Sequence, residues 1–118
     1  MATVAKSIVR PNIGTGVGCI WGPMTSVDVD GGPLEEFNHA DRSVQVDGVP
    51  SGASVTLQGS NNGTSWYTMT DPTGLPVVLT QTGLRGLTEC TRFIRPLVSG
   101  GDANTSLIVT VFGRRNAA

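Results

Sequence analysis

The chain contains a single histidine, His39, followed closely by Asp41 and Ser43, residue types that together can perform nucleophilic catalysis. A catalytic triad is defined by the spatial roles of its members, and closeness along the chain does not supply them. The adjacent Glu35 and Glu36 would point to opposite faces of a strand, so they do not form a general acid and base pair. These patterns predict a solvated loop histidine and a protein that is not an enzyme.

A possible cation site starts at Asp28 and Asp30, which have the spacing of the first two ligands of a calcium loop. Gly32 stands where the third oxygen ligand is needed, and His39 occupies the position of the bidentate glutamate. Neither these acidic residues nor the histidine with the two cysteines has zinc spacing. We therefore predict that the protein requires no metal and no cofactor.

The two cysteines, Cys19 and Cys90, are far apart in the sequence, and their state depends on the compartment. Lys6 and Arg10 interrupt the N-terminal residues, and the glycines and proline that follow break up the apolar core that a signal peptide needs. We therefore expect assembly in a cytoplasm, with both cysteines as buried thiols. A disulfide in an oxidising setting stays open as the alternative.

The elements that would position these side chains alternate between apolar and polar residues, as half-buried strands do. In "DRSVQVDGV", Val44 and Val46 oppose Ser43 and Gln45, and "SVTLQGS", "TSWYTMT" and "TSLIVTVFG" have the same period of two. Turn signals separate these runs, and a single helical turn fits only at "GLRGLTEC". The sequence predicts an all-β fold, a single-domain antiparallel β-sandwich or jelly roll.

The last predicted strand, "LIVTVF", has apolar residues on both of its faces. Leu107, Val109 and Val111 point one way, whereas Ile108 and Phe112 point the other. A domain of 118 residues has too little interior to bury both sets. The pattern therefore predicts self-association through an apolar face of the sandwich.

The segment "SNNGTSWY" joins two of the alternating runs and contains the strongest short-range hairpin signal, Asn-Gly. Asn61, Asn62 and Gly63 are predicted to form a tight turn, because Asn and Gly tolerate positive φ. Strand alternation then separates the two aromatic residues, so that one of Trp66 and Tyr67 is buried. We predict that Trp66 packs in the core.

The chain divides into a flexible N-terminal arm over residues 1–18, a β-sandwich domain over 19–115 and a frayed tail over 116–118. The arm has little periodic apolar content, so it is expected to become ordered only on binding. Its apolar residues are suited to an extended strand that adds to the edge of another sheet, with glycines allowing close approach. These residues are Ile8, Val9, Pro11, Ile13 and Val17.

Charge excludes several classes of partner. The net charge is -1, only 14% of residues are charged and Lys6 is the single lysine, so no basic field for nucleic acid is expected. No apolar run reaches the length needed to cross a membrane. Arg92 and Arg95 bracket "FI" on one strand, where they serve either as solvated edge charges or as contacts to acidic residues of a neighbouring subunit.

The succession "ADRSVQV", "LQGSNNGTSW", "TDPTG", "RFIRPLV" and "TSLIVTVFGRR" resembles the head decoration, or cement, proteins of tailed phages over roughly residues 20 to 115. This resemblance implies a structural protein on the outer surface of a virion, assembled in the host cytoplasm. It implies binding to the major capsid protein as a homo-oligomer, a dimer or trimer, that stabilises the expanded shell, with no catalytic residues. The expected capsid and subunit contacts are Ile8, Val9, Arg10, Pro11, Ile13, Val17, Arg92 and Arg95.

A second resemblance stays open. "SNNGTSW" followed later by "TRFIRPLV" is also similar to discoidin-like, galactose-binding sandwiches. That similarity implies a carbohydrate-binding or adhesion module, with host glycans as the partner. Sugar binding requires an exposed aromatic platform and polar groups converging in a cleft.

Overall fold

Runs of alternating apolar and polar residues form two β-sheets that pack face to face in the computed structural model. The structure describes residues 2–9, 16–26, 28–35 and 41–114. Within these ranges there are twelve strands and no helix, and the predicted all-β sandwich is confirmed. The jelly-roll topology stays a prediction.

The first sheet has seven strands, and all its pairings are antiparallel except the one at its edge between β1 and β4. In spatial order its main path is β1 (Ala2–Val4), β4 (Asp28–Gly31), β11 (Phe93–Gly100), β7 (Ala53–Ser60) and β8 (Tyr67–Thr68), with β5 (Leu34–Glu35) beside β11 and β9 (Val78–Leu79) beside β7.

The second sheet has five strands and is antiparallel throughout. In spatial order it contains β10 (Gly83–Leu87), β6 (Asp41–Val49), β12 (Ser106–Arg114), β3 (Gly16–Met24) and β2 (Lys6–Val9). Its longest strands have nine residues, so β6, β12 and β3 form a wide continuous surface.

The core lies between the sheets and is built from the residues that the alternation assigned to the inner faces. Val44, Val46, Leu107, Val109 and Val111 are all at most 2% exposed, as predicted. The rest of the core comes from the other strands of both sheets and two loop residues: Cys19, Trp21, Met24, Leu34, Ala53, Val55, Leu57, Met69, Val77, Leu79, Leu87, Ile94 and Val98.

The N-terminal residues differ from the predicted arm, because they pair with both sheets of the same chain. Strand β1 pairs with β4 of the first sheet, and β2 pairs with β3 of the second, so only Ala5 separates the two pairings. The boundary at residue 18 also differs, because β3 begins at Gly16 and Val17 is 4% exposed. Without β1 and β2, strands β4 and β3 would each have an unpaired edge. The extended N-terminal residues satisfy the hydrogen bonds of these edges.

Two local predictions were wrong. Trp66 is only half-buried, and the fully buried tryptophan is Trp21, whose indole nitrogen donates a 2.8 Å hydrogen bond to the Gly32 carbonyl. The segment predicted to form a helical turn is strand β10, which pairs with β6 along its whole length. Pairing at a sheet edge overrode the local sequence preference there.

The hairpin around the Asn-Gly pair is confirmed, but its turn is longer than predicted. Strands β7 and β8 pair, with Gly59 opposite Tyr67. Strand β7 ends at Ser60 and β8 begins at Tyr67, so six residues, 61–66, connect the two strands. Gly63 has a φ of 75°, whereas Asn62 is not in the left-handed region, which excludes the tight primed turn. The Ser60 hydroxyl accepts a 2.9 Å hydrogen bond from the Gly63 amide and organises the loop instead.

Candidate protein-binding face

The outer surface of the five-stranded sheet carries the apolar residues of β12 that the core does not use. We call this surface the β12 face and define it by Ile20, Leu84, Ile108, Thr110 and Phe112. Thr110 lies opposite Ile20 on β3, and Ile108 and Phe112 flank it on β12 with the same orientation. Ile108 is 42% exposed and Leu84 is 66% exposed, so the face offers apolar surface to a partner.

The centre of the β12 face is uncharged because Ser43 and Gln45 of β6 lie opposite Phe112 and Thr110. Charged residues lie towards the two ends of the strands, and one of them, Asp47, lies directly opposite Ile108. At one end Arg114 forms a 2.7 Å ion pair with Asp41, and at the other Asp47 accepts a 2.6 Å hydrogen bond from Gln45. A partner that covers Ile108 must therefore leave the Asp47 carboxylate in contact with water or supply it with a donor.

The outer surface of the seven-stranded sheet is organised differently, by Arg95 in the centre of β11. Its guanidinium lies 4.2 Å from the centroid of the Trp66 ring, donates a 2.9 Å hydrogen bond to Gln58 and pairs with Asp30 at 3.1 Å. Asp30 also accepts a 2.7 Å hydrogen bond from Thr3, which ties β1 into the network. Two guanidinium nitrogens of Arg95, Nε and Nη1, thus have partners within the chain, and Asp30 already supplies an acidic partner without a neighbouring subunit.

The other predicted contact residues are not brought together at one place. Arg92 is exposed and pairs with Glu35 at 2.5 Å, while Val17 lies in the core and is closed to any partner. Ile8 is 41% exposed at the sheet edge opposite Cys19, and the backbone of Val9 pairs with Gly18. Arg10, Pro11 and Ile13 lie outside the described residues.

The hairpin loop borders a cleft with a volume of about 440 Å³, which we call the hairpin cleft. Its walls come from β7, β8, the loop and the segment before β11: Gly59, Ser60, Asn61, Asn62, Ser65, Tyr67, Thr68, Met69, Glu89 and Thr91. The Tyr67 side chain is 73% exposed. The sequence singled out the loop and Tyr67, but nothing in its spacing linked Glu89 to them.

Glu89 is held in place by Thr70, whose backbone amide donates a 2.7 Å hydrogen bond and whose hydroxyl donates a second, short one. Burial raises the pKa of the Glu89 carboxyl, but the two hydrogen bonds from Thr70 and one from the Glu89 backbone amide together lower it more, so the net shift is downward. Glu89 is therefore a carboxylate at neutral pH.

A second carboxylate, Asp71, organises the turn after β8. It accepts hydrogen bonds from the backbone amide and hydroxyl of Thr73 and from the Leu75 amide, and it pairs with Arg85 of β10 at 2.6 Å. The hydrogen bonds from Thr73 and Arg85 hold the pKa of Asp71 well below its usual range. This carboxylate joins the turn to the five-stranded sheet.

Both cysteines are free thiols, but only one is buried as expected. Cys19 has no exposed surface, and burial raises its pKa to about 11, whereas Cys90 is exposed. In the described ranges, no three His, Cys, Asp or Glu side chains lie close enough together to hold a metal ion. His39, the residue that opened the catalytic question, lies outside the described residues.

No family model, curated protein or solved structure matches this chain. In the part of the chain that the structure describes, no helix is long and apolar enough to cross a membrane. The described residues thus present a partly apolar sheet face with an uncharged centre and, on the other sheet, the hairpin cleft.

Proposed function

We propose that this protein is a structural component of a tailed-phage virion, a decoration protein that binds the outside of the head as a small homo-oligomer. The observation that carries the proposal is the β12 face, a partly apolar surface with an uncharged centre that is built into the sheet and suits contact with another protein. The resemblance of the sequence to head decoration proteins supports a phage head as the assembly to which the protein binds.

The occupant of the β12 face is a second copy of the same chain. A two-fold interface requires a surface that is complementary to itself, and the uncharged centre of the face, around Thr110 and Phe112, meets this condition without opposing like charges. The ion pair between Arg114 and Asp41 at one end of the strands keeps that end neutral as well.

The size of the face sets the strength of the contact. Four paired strands about 4.8 Å apart and about seven residues long cover roughly 19 by 23 Å, or about 440 Å². A standard stable interface uses about 800 Å² per partner, so we expect weak association in solution. On a shell, neighbouring binding sites raise the local concentration, and a weak contact between copies then strengthens attachment to the head.

The test compares two matched substitutions, Ile108→Lys on the β12 face and Val78→Lys on the outer face of the other sheet. Both wild-type residues are β-branched, lie on strands and have similar exposure, 42% and 38%. Sedimentation velocity should show wild-type and Val78→Lys self-association at tens of micromolar, whereas Ile108→Lys stays monomeric. The lysine removes the apolar contact, and a dimer would have to remove two lysines and the Asp47 carboxylates opposite them from water.

The same three proteins are then mixed with expanded heads assembled from tailed-phage capsid proteins. Wild type and Val78→Lys should pellet with the heads, and Ile108→Lys should bind more weakly. A monomeric wild type that does not pellet with any expanded head would overturn the proposal. Equal binding by both lysine variants would show that the β12 face is not the contact between copies.

A further inference from the structure

The hairpin cleft contains an arrangement that the proposed function does not use. Tyr67 is held at the edge of the sheet by the pairing of its backbone with Gly59, and most of its side chain stays in contact with solvent. A large exposed ring beside a concave polar surface offers a flat platform for a ligand.

The loop fixes the orientation of two side-chain amides that line the cleft. Asn62 Oδ1 accepts 2.9 Å hydrogen bonds from the amides of Thr64 and Ser65, so its NH2 group remains as a donor. Asn61 Oδ1 accepts a 3.2 Å hydrogen bond from the Arg92 amide, which leaves its NH2 group as a second donor. The loop therefore leaves two amide donors on residues that line the same cleft as Tyr67.

The charge of the cleft restricts its ligand further. None of the residues that line it is a Lys, Arg or His, and Glu89 contributes a carboxylate. An anionic ligand would meet repulsion with no compensating cation. Both carboxylate oxygens of Glu89 already accept hydrogen bonds from Thr70, so the groups left for a ligand are amides and the hydroxyls of residues such as Ser65 and Thr68. This set suits a neutral ligand with several hydroxyl groups.

We propose that the hairpin cleft binds a neutral saccharide. A pyranose ring has a face of C–H groups that stacks on Tyr67 and equatorial hydroxyl oxygens that accept hydrogen bonds from Asn61 and Asn62. The cleft volume of about 440 Å³ lies in the range of small-molecule sites. This inference does not depend on head binding, because the cleft and the β12 face belong to different sheets.

The test uses Tyr67 as its own reporter, because it is the only tyrosine in the chain. Full-length protein with ring-labelled tyrosine is titrated by NMR with methyl α-mannoside and methyl β-galactoside, and with N-acetylneuraminic acid as the anionic comparison. At least one neutral glycoside should shift the Tyr67 ring signals and saturate at millimolar concentration, and the anionic sugar should not.

Matched variants separate stacking from general effects. Saturation transfer from the protein to the sugar measures binding to each variant. The affinity of Tyr67→Ala should be roughly tenfold lower or lost, while Tyr67→Phe should keep most of the wild-type affinity. Leu75→Ala, which truncates another exposed side chain outside the cleft, should bind like wild type. The inference is overturned if no neutral glycoside shifts the Tyr67 signals, if the anionic sugar binds best, or if Tyr67→Ala binds as well as Leu75→Ala.

Discussion

Two neighbouring glycines, Gly31 and Gly32, should respond oppositely to the same substitution. A Cβ added at Gly31 would lie 2.6 Å from Trp21 Nε1 and 2.7 Å from Pro96 Cδ, whereas the closest atom to one added at Gly32 would be 3.6 Å away. Ordinary contact begins at 3.4 Å, so only the change at Gly31 forces its neighbours to move. Neither glycine has the positive φ that would strain an alanine.

The expected loss for Gly31→Ala has two parts. Overpacking a core costs about 1 to 3 kcal/mol. Displacing the Trp21 indole from the Gly32 carbonyl leaves a buried donor unpaired, which costs about another 1 to 2 kcal/mol. The free energy of unfolding should therefore fall by about 2 to 5 kcal/mol, a large part of the stability of a domain of this size.

Urea unfolding at 25 °C, followed by tryptophan fluorescence, measures the difference. With a slope of about 2 kcal/mol per molar urea, Gly31→Ala should lower the midpoint by about 1 to 2.5 M. Gly32→Ala should leave the midpoint unchanged or raise it by up to about 0.5 M, because alanine reduces the freedom of the unfolded chain. Equal midpoints for the two variants would refute the packing described around Trp21.

Three further outcomes are expected. Acidification below pH 4 should lower the melting temperature of the wild type more than that of Asp71→Asn. Hydrogen bonds from Thr73 and Arg85 lower the pKa of Asp71 in the folded state, so its carboxylate stabilises the fold above its unfolded pKa and loses that contribution as pH falls. A thiol-reactive dye should modify only Cys90 in the native protein, and Cys19 in addition after unfolding in denaturant; rapid native labelling of both would contradict the burial of Cys19. Arg95→Lys should lower the free energy of unfolding by about 1 kcal/mol, since lysine cannot stack on Trp66 in the same plane or form the same set of bonds; no change in the urea midpoint would contradict it.

Strand alternation was sufficient to predict the fold class and the inward or outward orientation of the long strands. Leu107, Val109 and Val111 are in the core, and Ile108 is exposed, because neighbours on β3 and β6 enforce the period of two on β12. The same alternation indicated an apolar outer face before the sheet partners were known. Long strands in the middle of a sheet are therefore the part that the sequence determines most directly.

Prediction failed where the outcome depends on contacts between distant segments. Trp66 is apolar enough for the core, but its ring stacks on the Arg95 guanidinium. Arg95 is far along the chain and lies on the outer face of its sheet, so the local sequence does not indicate this contact. Glu89 joins the hairpin cleft through Thr70, and no local pattern indicates that pairing. The N-terminal strands likewise depend on the free edges of β3 and β4, which become visible only after the sheets are assembled.

The passage of the chain from β1 to β2 through Ala5 has a mechanical consequence. On this side of the sandwich, one short segment is hydrogen-bonded to both layers, and the Gly32 amide donates an additional 2.7 Å hydrogen bond to the Val4 carbonyl. Sliding one sheet over the other would stretch this segment and break strand pairing as well as core contacts. The N-terminal segment therefore couples the two layers mechanically, so that a shearing force on one sheet is also carried by the other.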